Sequence, residues 1–210
     1  GSGKTSVIRE IARQMSRVHH VMIVDTSNEI CGDSDVPHGC VGQARRMMVP
    51  DIDDQHRVMI ECVQNHTPEV MIIDEIGRTK EVKAAQTCKQ RGVRLIASAH
   101  GDLRSLLKNG ELNGLLGGVA SVTLGDAAAA KTNHGNKVSV ERGGAPIFEI
   151  VIEVTKGNYN SFRITIDSGK TVDFLLDGKE GKAEYRERQT MTSLTDEAQP
   201  QIISSKFVKI

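Results

Sequence analysis

The chain opens on Gly1-Ser2-Gly3-Lys4-Thr5-Ser6, which supplies the closing residues of a G-x-x-x-x-G-K-[ST] phosphate loop. These residue types suit one chemistry. Gly3 lets the backbone come close to phosphate oxygens, the Lys4 ammonium reaches the β- and γ-phosphates, and the Thr5 hydroxyl is a ligand for Mg2+. A helix that starts here adds the positive end of its dipole. Gly1 to Ser6 are therefore the candidate ATP-binding run. The first glycine of the pattern, the two residues after it and the preceding strand would lie upstream of Gly1, so the expectation is a chain that begins inside its own phosphate loop.

The second chemical signal is Val70-Met71-Ile72-Ile73-Asp74-Glu75, a Walker B pattern of four apolar residues and an acidic pair. Asp74 is suited to the Mg2+ water shell, and Glu75 to orienting and deprotonating the attacking water. An apolar strand that ends in acidic residues is commonplace by itself. Coupled to the upstream Gly-Lys-Thr, it reads as nucleotide hydrolysis, and no arginine-rich lid is present for phosphoryl transfer to a small acceptor.

Weaker candidates sit at other strand ends. His100, and less so Ser98, in Ala97-Ser98-Ala99-His100-Gly101 are placed to sense the γ-phosphate. In Asp25-Thr26-Ser27-Asn28-Glu29 the acidic groups are expected to face the nucleotide cleft, with Glu29 either polarising water or capping a turn. Arg45 and Arg46 are candidates for a charge-stabilising arginine given to a neighbouring subunit, against the plainer reading of a solvated pair. Cys31, His38 and Cys40 fall close together but lack a fourth ligand at the usual spacing, so a polar loop is the preferred reading.

Bringing such residues together requires parallel strands whose carboxyl ends share one edge. Ser6 to Val18 carries apolar residues near helical spacing, followed by an apolar strand at 21–25. A helix is expected at about 53–66, a strand at 69–75, a helix at about 80–91 closed by Gly92, and a strand at 93–100. A short helical stretch near 103–109 and a fourth strand at 119–126 follow. Apolar strands alternating with amphipathic helices predict a parallel sheet covered on both faces, the three-layer α/β arrangement of RecA-like P-loop proteins.

From about Lys137 the texture becomes β-rich. Residues 138–154 read as two strands around Gly143-Gly144, and 162–176 as another hairpin. The expected organisation is a core at 1–136, a β-hairpin extension at 137–177 and a flexible tail at 178–210. The missing strand belongs between strands 93–100 and 119–126, so the isolated piece is expected to fold poorly and bind ATP weakly.

Bulk properties exclude little but constrain partners. Lys+Arg and Asp+Glu both number 27, and aromatics are 3%, so neither long-range attraction nor stacking points to nucleic acid. The apolar runs are too short to span a bilayer, and the four cysteines form no CxxC pair.

The run VMIVDTSNEICGDSDVPH, then GQARRMMVP, HRVMIECVQNHTPEVMIIDEIG, IASAHG and SVTLGD, resembles the stage III sporulation protein AA ATPases. It is similar above all to their chloroplast and cyanobacterial counterparts. The resemblance covers Gly1 to about Val154, and it extends to the ring-forming type II and type IV secretion ATPases. It implies ATP binding with Mg2+, hydrolysis, and a homo-oligomeric ring such as a hexamer, with an acidic box at Asp25 to Glu29 and a histidine box at His100. It implies a plastid stroma location in a photosynthetic eukaryote and bacterial cytoplasm otherwise. The arginine–histidine spacing of the nucleic-acid module found in some relatives is absent from the sequence. The rival readings are a nucleotide-dependent scaffold without turnover and a nucleic-acid-stimulated motor.

Overall fold

The computed structural model describes residues 3–123, 138–155 and 157–187, so Gly1 and Ser2 of the expected phosphate run lie outside the described residues. Its centre is a parallel sheet in the order β2-β1-β3-β4, formed by β1 (Val21–Asp25), β2 (Arg45–Met48), β3 (Val70–Glu75) and β4 (Arg94–Ser98). The apolar runs that mark β1 and β3 are buried along both faces, as interior strands of a parallel sheet require. Alternation divides them. Val21, Ile23, Val70 and Ile72 pack with Ile8 and Ala12 of α1 (Lys4–Met15) and with Ile30 and Val41 of the loop after β1. Met22, Val24, Met71 and Ile73 pack with α2 (Gln55–His66) and α3 (Thr79–Gln90) on the opposite face. Each fully buried side chain of this size contributes about 2 kcal/mol. The result is an α/β domain of three layers.

Helix boundaries follow local chemistry. Thr67 stops α2 in the left-handed region at φ 42°, just before Pro68. The Glu81 carboxylate accepts the amides of Gly77 and Arg78 at 2.8 and 3.1 Å, closing the entry to α3.

Several elements depart from expectation. Arg45 to Met48 form an edge strand that the sequence did not announce, because four residues with two arginines carry no apolar signature. Strand β5 (Val119–Thr123) does not join the parallel sheet. It pairs antiparallel with β6 (Val138–Arg142), and β4 is left at the edge of the main sheet among the described residues. The reason lies in Ser121 and Thr123, which share one face of β5: a strand buried on both faces would be apolar throughout. The remainder of the expected strand, residues 124–126, lies outside the described residues.

The Gly143-Gly144 turn joins no hairpin either. β7 (Val151–Thr155) pairs instead with β8 (Asn158–Thr165), which carries β9 (Glu184–Glu187) on its other side. Glu184–Glu187 thus form a strand within the expected tail, whose residues 188–210 lie outside the described residues. Residues 168–176, expected in a hairpin, form α4 (Ser168–Leu176). Asp167 caps this helix by accepting the Lys170 amide at 2.9 Å, and Val172, Leu175 and Leu176 pack with Leu103 and Leu116 at helical spacing. Gly169 is a buried residue of the first helical turn. Among the described residues no helix is long and apolar enough to cross a membrane.

Candidate functional site

Because β1, β3 and β4 run parallel, their carboxyl ends bring Asp25 to Ser27, Asp74, Glu75 and Ser98 to one edge. Helix α1 starts at the same edge. Gly3 precedes it in the left-handed region at φ 87°, a conformation open to glycine, and no side chain caps the helix or places an acid in its first turn. Its positive end therefore meets no compensating carboxylate from α1 itself. Lys4 Nζ donates to the Ala99 carbonyl at 3.2 Å, which sets the ammonium beside the end of β4. Thr5 is half-buried and Ser6 exposed.

The acidic pair is shaped by an irregularity. Ile73 pairs with Ala97 and Glu75 with Ser98, so Asp74 is the extra residue of a bulge in β3. Its carboxylate is almost wholly buried and accepts the Ser27 hydroxyl, with the Ser27 amide 3.3 Å from the same oxygen. Ser98 donates its hydroxyl to the Asp74 carbonyl. Glu75 is half-buried, with Oε1 3.1 Å from His100 Nε2. The Glu75 carbonyl accepts Gln55 Nε2 at 2.6 Å, and the next amide, Ile76, donates to the Ser98 carbonyl at 2.9 Å. The backbone around Glu75 is thus held from both sides while its carboxylate stays half-exposed beside His100.

The remaining candidates occupy other places. Asp25 is fully buried and turned towards the chain, accepting the amides of Cys31 at 2.7 Å and Ile30 at 3.5 Å, so it shapes the loop after β1 and does not face the cleft as expected. Beside it, burial first and the Asp25 charge second push the Cys31 thiol up to about 12. Glu29 is exposed, and its carbonyl is anchored by Arg9 at 2.7 Å. Arg45 and Arg46 stand opposite Met22 and Ile23, whereas Met48 is level with Asp25. At about 3.3 Å per residue this sets the pair roughly 7–10 Å along the strands from the shared edge. Arg46 donates to the carbonyls of Gly32 at 2.6 Å and Ser34 at 2.7 Å, bracing the loop after β1. Arg45 is exposed.

Sequence reasoning missed Ser27 and Gln55 as individual participants. Gln55 is 2% exposed at the start of α2. A glutamine after two aspartates carries no signal of its own in the sequence. Taken together, the edge offers an ammonium, a helix start with no acid in its own first turn, a buried carboxylate and a half-exposed carboxylate beside an imidazole. That set is able to hold a polyphosphate with a divalent cation and to take a proton from water.

Comparison with known proteins adds an independent line. Residues 1–119 match the model of the family described as sporulation stage III, protein AA. The Arabidopsis thaliana protein SEEDLING PLASTID DEVELOPMENT 1 is 49% identical over 190 residues, covering 89% of this chain and 27% of the relative. The protein of Porphyra purpurea titled uncharacterized protein ycf45 is 47% identical over 192 residues, covering 90% of this chain and 34% of the relative. Its namesake from Cyanidium caldarium is 43% identical over 198 residues, covering 93% and 58%. The chain thus spans between about a quarter and three-fifths of these relatives' lengths.

Proposed function

This chain belongs to the sporulation stage III protein AA family, and from that premise we propose that it is a RecA-like P-loop ATPase that hydrolyses Mg-ATP to drive conformational work. The single observation that carries the reading is the meeting of Lys4 with the end of β4. The helix start stands there at the same sheet edge as Asp74, Glu75 and His100.

In this reading Lys4 and the first amides of α1 bind the phosphate oxygens, and Gly3 lets the backbone approach them. Thr5 and Asp74 hold Mg2+, Asp74 through the ion's water shell. The donor set fits, because Asp74 gives one oxygen to Ser27 and its other oxygen has no protein donor among the described residues. Mg2+ supplies neutralisation of charge on the β- and γ-phosphates. Glu75 accepts the proton of the water whose oxygen bonds the γ-phosphorus as the bond to ADP breaks, leaving ADP and phosphate. His100 steadies the Glu75 carboxylate and responds to the γ-phosphate.

Assembly into a homo-oligomeric ring is carried from the resemblance to secretion ATPases. A plastid location is supported by the name of the Arabidopsis relative. Titration of the full-length parent protein with ATP, rather than of this piece alone, tests the binding step. Affinity in the micromolar range that needs Mg2+ and falls at least about tenfold in Lys4→Ala is expected. Equal affinity in that variant would remove the phosphate-loop reading.

A further inference from the structure

Gln55 makes two hydrogen bonds that determine each other's direction. Its neighbours are the Glu75 carbonyl, 2.6 Å from Nε2, and the Thr26 hydroxyl. A carbonyl only accepts, so the amide nitrogen must face Glu75. That leaves Oε1 facing Thr26, and an amide oxygen also only accepts. The Thr26 proton is therefore committed to Gln55, and Thr26 offers lone pairs alone to anything beside it.

We propose that Gln55 is a positioning residue for Glu75, and that it fixes Thr26 as a hydrogen-bond acceptor for a water in the cleft. The proposal rests on the hydrolysis reading for its consequence in turnover, though not for its geometry. Thr26 follows Asp25 at the end of β1 and precedes Ser27, whose hydroxyl meets Asp74. A second contact from the same helix start points the same way. Asp53, two residues before Gln55, pairs with Arg78, three residues after Glu75. The entry to α2 thus grips the Glu75–Arg78 segment at both ends. With the Ile76 amide bound to Ser98, the Glu75 peptide is fixed and only its side-chain torsions remain free. Gln55 joins the loop that leaves β1 to the residue that takes the proton, so a shift in either is felt by the other.

The test compares full-length wild type with Gln55→Met, Gln55→Glu, Thr26→Ser and Thr26→Val. Phosphate release is measured across pH, with affinity for a fluorescent ATP analogue and hydrogen exchange of residues 26–31 and 75–78 alongside. Gln55→Met is expected to lower kcat about tenfold or more while changing affinity less than about threefold. Thr26→Val is expected to behave alike, and Thr26→Ser to restore the wild-type rate. In Gln55→Glu the introduced carboxyl can donate to the Glu75 carbonyl only when protonated, so its activity should survive on the acid side and lose the alkaline limb. A residue that merely fills space would move no pH limb. A wild-type profile in Gln55→Glu, or wild-type kcat in Gln55→Met, overturns the proposal. Thr26→Val, at a half-exposed position, decides the same question should a buried replacement at Gln55 fail to fold. If the wild type releases no phosphate, the hydrolysis reading falls, and exchange still decides the clamp. Faster exchange in both segments of Gln55→Met supports it, and unchanged exchange overturns it.

Discussion

Replacing Asp25 with Asn separates a structural carboxylate from a catalytic one. The side chain keeps its size, but the amide has one oxygen where the carboxylate had two. In the fold these oxygens accept the Cys31 amide at 2.7 Å and the Ile30 amide at 3.5 Å, all in a fully buried setting. The new oxygen keeps the shorter bond, which loses its charge assistance, at a cost of about 1 kcal/mol. The new NH2 then faces the Ile30 amide, donor against donor. Because that contact is long, the added cost is about 1 kcal/mol. The sum, about 2 kcal/mol, corresponds to a fall in Tm of about 4–8 °C for a chain of this size. Thermal unfolding followed by circular dichroism, with an ATP titration on the same samples, reads both effects. A Tm within about 1 °C of wild type, joined to weaker Mg-ATP binding, would show instead that Asp25 faces the nucleotide and carries no structural load.

Other outcomes follow from named contacts. Burial above all raises Cys62 from 9.0 to about 12 and Cys88 from 9.0 to about 11, so the folded protein holds these protons longer than the unfolded chain does. The associated stability is complete below about pH 9 and is lost as pH rises towards 11–12; the urea midpoint should fall there, and less steeply in Cys62→Ala. Lys89 holds the carbonyls of Pro146 and Ile147 at 3.0 and 2.9 Å, so Lys89→Met should speed proteolysis at 143–150 severalfold with a global cost of only about 1 kcal/mol. Arg46→Gln should free residues 32–35, seen as faster amide exchange there, while ATP affinity stays at the wild-type level.

The parts of the fold that could be read from sequence are those where one physical demand dominates. Val70 to Ile73 had to be an interior strand, because a fully apolar run followed by Asp-Glu has nowhere else to go. The helix after Gly3 and the strand ending before Ala99 were legible for the same reason. What escaped depends on pairing. The bulge at Asp74 arises from the register against β4, which no local pattern records. Arg45 to Met48 become a strand only because β1 offers an edge. In 168–176 the hairpin expectation passed over the Asp167 cap and the apolar spacing, which together mark a helix. Gln55 shows the limit most clearly: its burial and both its partners come from distant segments.

Whether Glu75 takes a proton from water at this sheet edge is decided by steady-state phosphate release from full-length wild type and Glu75→Gln, with ATP affinity measured in parallel. Mg2+-dependent release by the wild type is expected, with release at least about hundredfold slower in the variant at affinity within about threefold. Equal release by the two proteins would contradict a hydrolytic role for Glu75.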